Sequence, residues 1–230
     1  MSSAGWGQGG VYLAELTWHD GCDSCDTNLP IPKPPPPQPS NFKSNLTGPW
    51  QPAESSEGQW VPTPQGLQGG AALGRSFLTS NWQEITTGTR RRLECQWDFM
   101  LITTNGNPTT SPNTWTRWGS SALFGFRLAS RSFSDIRTTR GYLVNATTAG
   151  GGGVTIVSMP SGKVIATSSL KVKEAIPYHA VLTIDGGSML LSFNQLTPMR
   201  GFDTTYTQGW VGVGVETGAT TFQNVNCRQA

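Results

Sequence analysis

Apolar residues recur along this chain with a period of two rather than 3.6. Tyr178, Ala180, Leu182 and Ile184 alternate with polar or smaller residues, the signature of a strand with one buried face. Asp185-Gly186-Gly187 supplies residues that tolerate positive φ, and residues 188–193 return as the second strand of a hairpin. Val211, Val213 and Val215 then alternate with Gly212, Gly214 and Glu216, and Phe222 and Val225 close the chain. Upstream, residues 76–85 and 91–104 read as strands. In the latter, Leu93, Cys95, Trp97, Phe99 and Leu101 share one face, and Glu94, Gln96, Asp98 and Met100 take the other. No long stretch carries a helical apolar period. Strands apolar on one face must bury that face against a second sheet, so the pattern predicts an all-β, antiparallel β-sandwich, with residues 178–227 forming one edge.

The breaks in the pattern divide the chain. Asn105-Gly106-Asn107-Pro108 marks a turn that the polar residues 109–113 extend into a long loop, residues 130–140 read as another loop, and the four glycines at 150–153 end a strand at a tip. At the other end, Val11-Tyr12-Leu13-Ala14-Glu15-Leu16-Thr17-Trp18 reads as a single strand, which cannot form a core alone. Residues 30–39 hold seven of the sixteen prolines, and such a run adopts polyproline II, a stiff spacer of roughly 30 Å; the rival reading is a proline-rich ligand for an SH3-type domain. Three units are therefore expected: an extended N-terminal arm (1–29), a proline-rich spacer (30–40) and a globular head (41–230).

The head resembles concanavalin A-like jelly rolls of the laminin-G type. The late Asp185-Gly186-Gly187 hairpin, the run Gly209-Trp210-Val211-Gly212-Val213-Gly214-Val215 and the closing Thr221-Phe222-Gln223-Asn224-Val225 are similar to the C-terminal end of that fold. Residues 124–130, 141–145 and 154–169 follow the order of that pattern, and Phe42, Trp50, Trp60 and Gly66-Leu67 resemble its opening. The resemblance implies a jelly-roll fold and no single activity, since the scaffold hosts lectins, glycosidases and structural modules.

Composition narrows the classes. With 230 residues, 28 glycines and 13% charged residues, the chain suits one turn-rich β domain plus an arm. A formal charge of +2 leaves no nucleic-acid footprint, and Arg90-Arg91-Arg92 reads as a solvated strand start rather than a phosphate site. No apolar run is long enough for membrane insertion. The first ten residues lack a basic region followed by an apolar one, so no secretory leader is expected there; the alternative is a leader already removed.

Candidate chemistry is sparse. A glycosidase needs two carboxylates at matched separation, whereas Glu94 and Asp98, four residues apart on one strand, lie about 13 Å apart; a cross-strand partner involving Glu216 stays open. His19 and His179 are the only histidines and read as surface residues. Cys22 and Cys25 form a lone C-x-x-C beside His19, which favours a local disulfide or free thiols over zinc. Cys95 and Cys227 would bridge if their strands are neighbours, as terminal strands can be in jelly rolls, although a chain without a leader is expected to keep thiols reduced. The resemblance raises calcium, but Asp135, Asp185 and Asp203 are isolated, with Asp185 read as a turn residue. No cofactor, metal or catalytic residue is expected.

Aromatic surfaces remain. Nine tryptophans are many for one core of this size, and indoles stack on sugar rings. Trp115, Trp118 and Tyr206 sit near expected loops and are the candidate ligand-binding residues; the alternative is that they pack strand ends. The functional expectation is a non-enzymatic virion structural protein, a bacteriophage capsid-decoration, fibre or tail-associated component. It would be assembled in the host cytoplasm, form a homo-oligomer and attach to other virion proteins through the arm (Val11, Leu13, Leu16 and Trp18). Its lectin-like head would bind host cell-surface carbohydrate. The alternative is a free carbohydrate-binding module or a glycan hydrolase whose leader has been removed.

Overall fold

The computed structural model describes residues 50–52, 60–70, 76–84, 92–102, 119–131, 138–194 and 196–229. They form fourteen strands: β1 (Gln51–Pro52), β2 (Val61–Thr63), β3 (Gly66–Gly70), β4 (Ser76–Glu84), β5 (Arg92–Ile102), β6 (Ser121–Leu128), β7 (Gly141–Thr147), β8 (Gly153–Met159), β9 (Lys163–Ser168), β10 (Pro177–Asp185), β11 (Ser188–Phe193), β12 (Met199–Phe202), β13 (Gly209–Val215) and β14 (Ala219–Gln229). Two antiparallel seven-stranded sheets result, ordered β1-β4-β13-β6-β7-β8-β9 and β12-β11-β10-β5-β14-β3-β2. The all-β sandwich expected from the period-two pattern is the observed architecture. No helix among the described residues is long and apolar enough to cross a membrane.

The inward residues of β5 meet those of β6 across the sandwich. Trp97 stacks on Phe124 with ring centroids 3.9 Å apart and planes within 6°, and Phe99 stacks on Tyr178 of β10 at 5.3 Å. Trp50 and Trp60 are buried as well, while Trp82 and Trp210 are partly covered, so the tryptophans among the described residues serve mostly as core. Cys95 and Cys227 are register partners on β5 and β14 and form a disulfide. The expectation of reduced thiols does not hold for this pair, because pairing of the terminal strand with β5 places the two side chains together on the inner face.

Residues 178–227 do not make one edge. β10, β11 and β12 form an edge of the second sheet, β14 lies inside that sheet between β5 and β3, and β13 lies inside the first between β4 and β6. Their valines explain the difference. Val211, Val213 and Val215 are fully buried, and a strand buried in this way is more stable inside a sheet than at its rim.

The outer faces of the two sheets differ. In β5 burial alternates strictly, so the outer face of the second sheet is wet. In β6 every residue is buried. The residues of the first sheet that alternate with its inward ones, Phe77, Leu123, Leu143 and Met159 among them, form a second apolar cluster that Val157 and Trp210 flank.

Candidate functional site

The wet face of the second sheet carries rows of side chains set by strand register. One row runs from Asn194, beside the end of β11, through His179 on β10 and Asp98 on β5 to Gln223 on β14. The next contains Ser192, Val181, Gln96 and Asn226. A β-bulge between Gln223 and Asn226 breaks the β14 ladder and places Asn224 at φ 49°, a conformation that asparagine tolerates better than most residues. Thus aimed, Asn224 donates from Nδ2 to Asp98 Oδ2. The other carboxylate oxygen lies 2.6 Å from His179 Nδ1. His179 Nε2 has no protein partner among the described residues. The backbone N–H of His179 donates to Asn194 Oδ1 at 2.6 Å, which fixes the row at its β10 end.

Beside this row lies an open depression of about 380 Å³, lined by Gln65, Asp98, Met100, Pro177, Thr221 and Gln223 among others. Asp98 is the carboxylate of that lining. Glu94, four residues earlier on β5, is engaged elsewhere: Arg228 Nε reaches it at 2.6 Å and Arg92 NH2 at 2.6 Å. The hydrogen bond from Arg228, then the charges of Arg228 and Arg92, outweigh desolvation and hold the Glu94 carboxyl below its usual range.

A second depression, of about 320 Å³, opens at the sandwich end where β4 and β6 finish and β13 begins. Two buried polar clusters converge on the adjoining loop, residues 203–208. In the first, Arg127 makes a bidentate pair with Glu84, both bonds 2.9 Å. Its NH1 also donates to the carbonyls of Gly186 at 2.8 Å and Tyr206 at 3.2 Å. In the second, Tyr142 OH donates to Asp203 Oδ1 at 2.8 Å and accepts from the Tyr206 N–H at 3.0 Å. Burial would raise the Asp203 pKa, but hydrogen bonds from Thr205, Tyr142 and Lys163 win and hold it well below the usual carboxylate range. Burial, reinforced by Asp203, pushes the Tyr142 hydroxyl up to about 12. The loop also leans on the β10–β11 turn, where a Cβ on Gly187 would fall 2.5 Å from Thr204 Cγ2 and 2.9 Å from the Asp203 carbonyl oxygen.

Backbone strain marks the same two places. Among the described residues, four non-glycine residues have positive φ: Arg127, Ala175, Asn194 and Asn224. Asn194 and Asn224 flank the Asp98–His179 pair, Ala175 lies two residues before Pro177 of the first depression, and Arg127 holds the loop of the second. Such strain persists where surrounding structure imposes it and concentrates at functional sites.

Of the residues singled out in the sequence, Tyr206 is partly buried; its hydroxyl donates to the Met159 carbonyl at 2.6 Å and its ring meets Tyr142 edge-on at 5.2 Å. It lines the second depression. Trp115, Trp118, the arm residues Val11, Leu13, Leu16 and Trp18, the spacer, Cys22, Cys25 and Asp135 lie outside the described residues. Asp185 ends β10 beside the glycine turn. Among the described residues, no group of three His, Cys, Asp or Glu side chains is placed to hold a metal ion. Sequence reasoning missed the Asp98–His179 pair. Both side chains point outward by alternation, yet only the β5–β10 register makes them neighbours. It also missed Arg127, a lone charge in an otherwise apolar strand.

No protein-family model and no curated protein sequence matches the chain. Solved structures do. The carbohydrate binding module CBM66 from Bacillus subtilis superposes with a TM-score of 0.61 at 23% identity, covering 82% of this chain and 99% of that one. A Bacillus subtilis protein with a galectin-like fold gives 0.57 at 14% identity, covering 78% and 89%. The exoplasmic/lumenal domain of VIP36, in its Ca2+/Man-bound form, gives 0.51 at 9% identity, covering 79% and 89%. Likeness at such identities establishes fold alone: the chain is a β-sandwich jelly roll, an architecture it shares with these structures.

Proposed function

We propose that the head is a non-catalytic carbohydrate-binding domain that takes its ligand on the wet face of the second sheet. The observation that carries this reading is the Asn194–His179–Asp98–Asn224 constellation beside an open depression. Adjacent hydroxyls of a sugar need acceptors and donors side by side. Asp98 accepts, Asn224 and Gln223 supply amides, and His179 Nε2 is available. Met100 and Pro177 give the apolar floor that a sugar's C–H face prefers, and the depression has the volume of a small-ligand site. The structural likeness to a carbohydrate binding module and a mannose-bound domain supports the same reading. The carboxylates favour binding over hydrolysis, because the second one hydrolysis would need, Glu94, is clasped by two arginines about 13 Å along the strand.

The test is titration calorimetry of the full chain and of Asp98→Asn and Asn224→Ala against a panel of neutral and acidic oligosaccharides. Saturable binding is expected for the parent. Removing a hydrogen bond to a charged acceptor should weaken it by roughly 10–100-fold. Equal affinity in all three proteins would overturn the placement, and failure of the parent to bind any glycan would overturn the reading.

On the layout of the sequence we also propose that the arm and stiff spacer display this head on a virus-like particle. Deletion of residues 1–40 should then leave a soluble head that no longer co-sediments with the particle; equal recovery of both forms would overturn it.

A further inference from the structure

We infer that the loop-end depression is a second, independent carbohydrate subsite, selective for an uncharged sugar ring; this rests on the carbohydrate reading of the head. Three observations carry it. Gln83, Thr205, Thr207, Gln208, Tyr206 and Trp210 contribute to a lining of about 320 Å³ in which, among the described residues, no acidic or basic side chain takes part. Amides and hydroxyls both donate and accept, which matches the alternating demands of neighbouring sugar hydroxyls, and an indole offers its face to the ring's C–H surface. A charged sugar would bring its charge into a lining whose described residues offer no counter-charge.

The second observation is how the loop is held. Arg127 is fully buried and Asp203 nearly so, and between them they fix the Gly186 carbonyl, the Tyr206 carbonyl and, at 2.8 Å, the Thr205 N–H. Buried ion pairs are weak sources of stability and are retained in some proteins to specify one conformation. Here they lock six polar loop residues beside a half-buried tryptophan. A rigid loop binds without first losing conformational entropy, so its affinity is not spent on ordering.

The third observation is position. β10 runs from Pro177, at the first depression, to Asp185, whose neighbour Gly186 touches Arg127 at the second. The eight steps of β10 between these ends span about 26 Å and set the two sites apart. They cannot share one ring, but they can hold two parts of one long glycan or two separate chains.

The experiment is an NMR titration of the full chain with maltose, lactose and mannobiose, and with galacturonic acid as a charged control, following the Trp210 indole N–H and the His179 ring separately. At least one neutral disaccharide should shift the Trp210 signal saturably, and galacturonic acid should not. Asp98→Asn should leave that shift intact, whereas Gln83→Ala/Gln208→Ala should weaken it at least tenfold; this double variant spares the packed indole and so avoids the folding risk of Trp210→Ala. Shifts at His179 with none at Trp210, or loss of the Trp210 shift in Asp98→Asn, would overturn the second subsite and leave the first standing. Silence at both positions would overturn the second subsite together with the carbohydrate reading on which it rests.

Discussion

The two outer faces of the sandwich have opposite characters although each belongs to a seven-stranded antiparallel sheet. Over the first sheet, Phe77, Leu123, Leu143 and Met159 are at most 1% exposed and form a cluster of their own. Over the second, most outward positions, among them Glu94, Gln96, Asp98, Thr183, His179 and Asn226, are at least partly open to water. One face has been given to packing and the other left for contact with solutes. The strands announce this in their composition. A strand buried on both sides reads as a continuous apolar run, as in Ser121–Leu128, and a half-buried one alternates, as in Arg92–Ile102. Ligand-accessible side chains are to be sought on the alternating strands and at the strand ends, and that is where the strained residues cluster.

The comparison breaks most severely where a charge lies on the dry side. Arg127 and Glu84 are 0% and 1% exposed, so Glu84→Ala leaves a buried guanidinium without its counter-charge. The expected cost is about 3–5 kcal/mol, read from urea denaturation. Replacing both members by apolar residues of similar volume should recover much of that loss while loosening loop 203–208. A Glu84→Ala variant as stable as the parent would mean that water reaches the pair.

Gly212 is the next test. It is buried on the outer side of β13, opposite Thr79 on β4 and Gly125 on β6. Gly212→Val should destabilise by about 1–3 kcal/mol through overpacking. Gln96→Val, the same β-branched residue placed at an exposed position of β5, should stay within about 0.5 kcal/mol of the parent. Similar values for the two would erase the distinction between the faces.

How much of this was legible beforehand follows from the range of each signal. Alternation is local, so β5, the β10–β11 hairpin and the Val-Gly rhythm of β13 could be read from residues near one another. Sheet membership is not local. β13 and β14 are separated by a three-residue turn yet lie in opposite sheets, which is why residues 178–227 looked like one edge. Asp98 and His179 are 81 residues apart, so no spacing links them; only the β5–β10 register does. Arg127 was more accessible, since a lone charge in an apolar strand implies a buried partner. Glu84 was not, since it ends a strand whose residues are mostly polar, and only the fold brings it to Arg127.

Acid should separate the strand-end loop from the rest. The Asp203 carboxyl is held below its unfolded pKa of about 3.8. A depressed carboxylate contributes stability above its unfolded pKa, and that contribution fades as pH falls through the folded value. Melting temperature should therefore decline below about pH 4, and Asp203→Asn should flatten that part of the profile. A parent and variant with parallel acid limbs would remove Asp203 from the loop's support.

The smallest stability effect is expected where the largest functional one is. Asp98 and His179 have side chains 32% and 49% exposed, and an exposed polar contact of this kind contributes only about 0.2–1 kcal/mol. Asp98→Asn keeps the shape and one acceptor oxygen, and its new amide can still face His179 with the oxygen toward Nδ1. Its denaturation midpoint should thus shift by no more than a surface substitution does, while glycan affinity falls by the factor given above. That separation is the property of a side chain held for a ligand rather than for the fold. If Asp98→Asn instead unfolds the head as readily as Glu84→Ala does, the wet face is structural after all, and the Asn224 bulge exists to support the sheet. Measuring both midpoints in one series, beside the calorimetric titration, decides between the two.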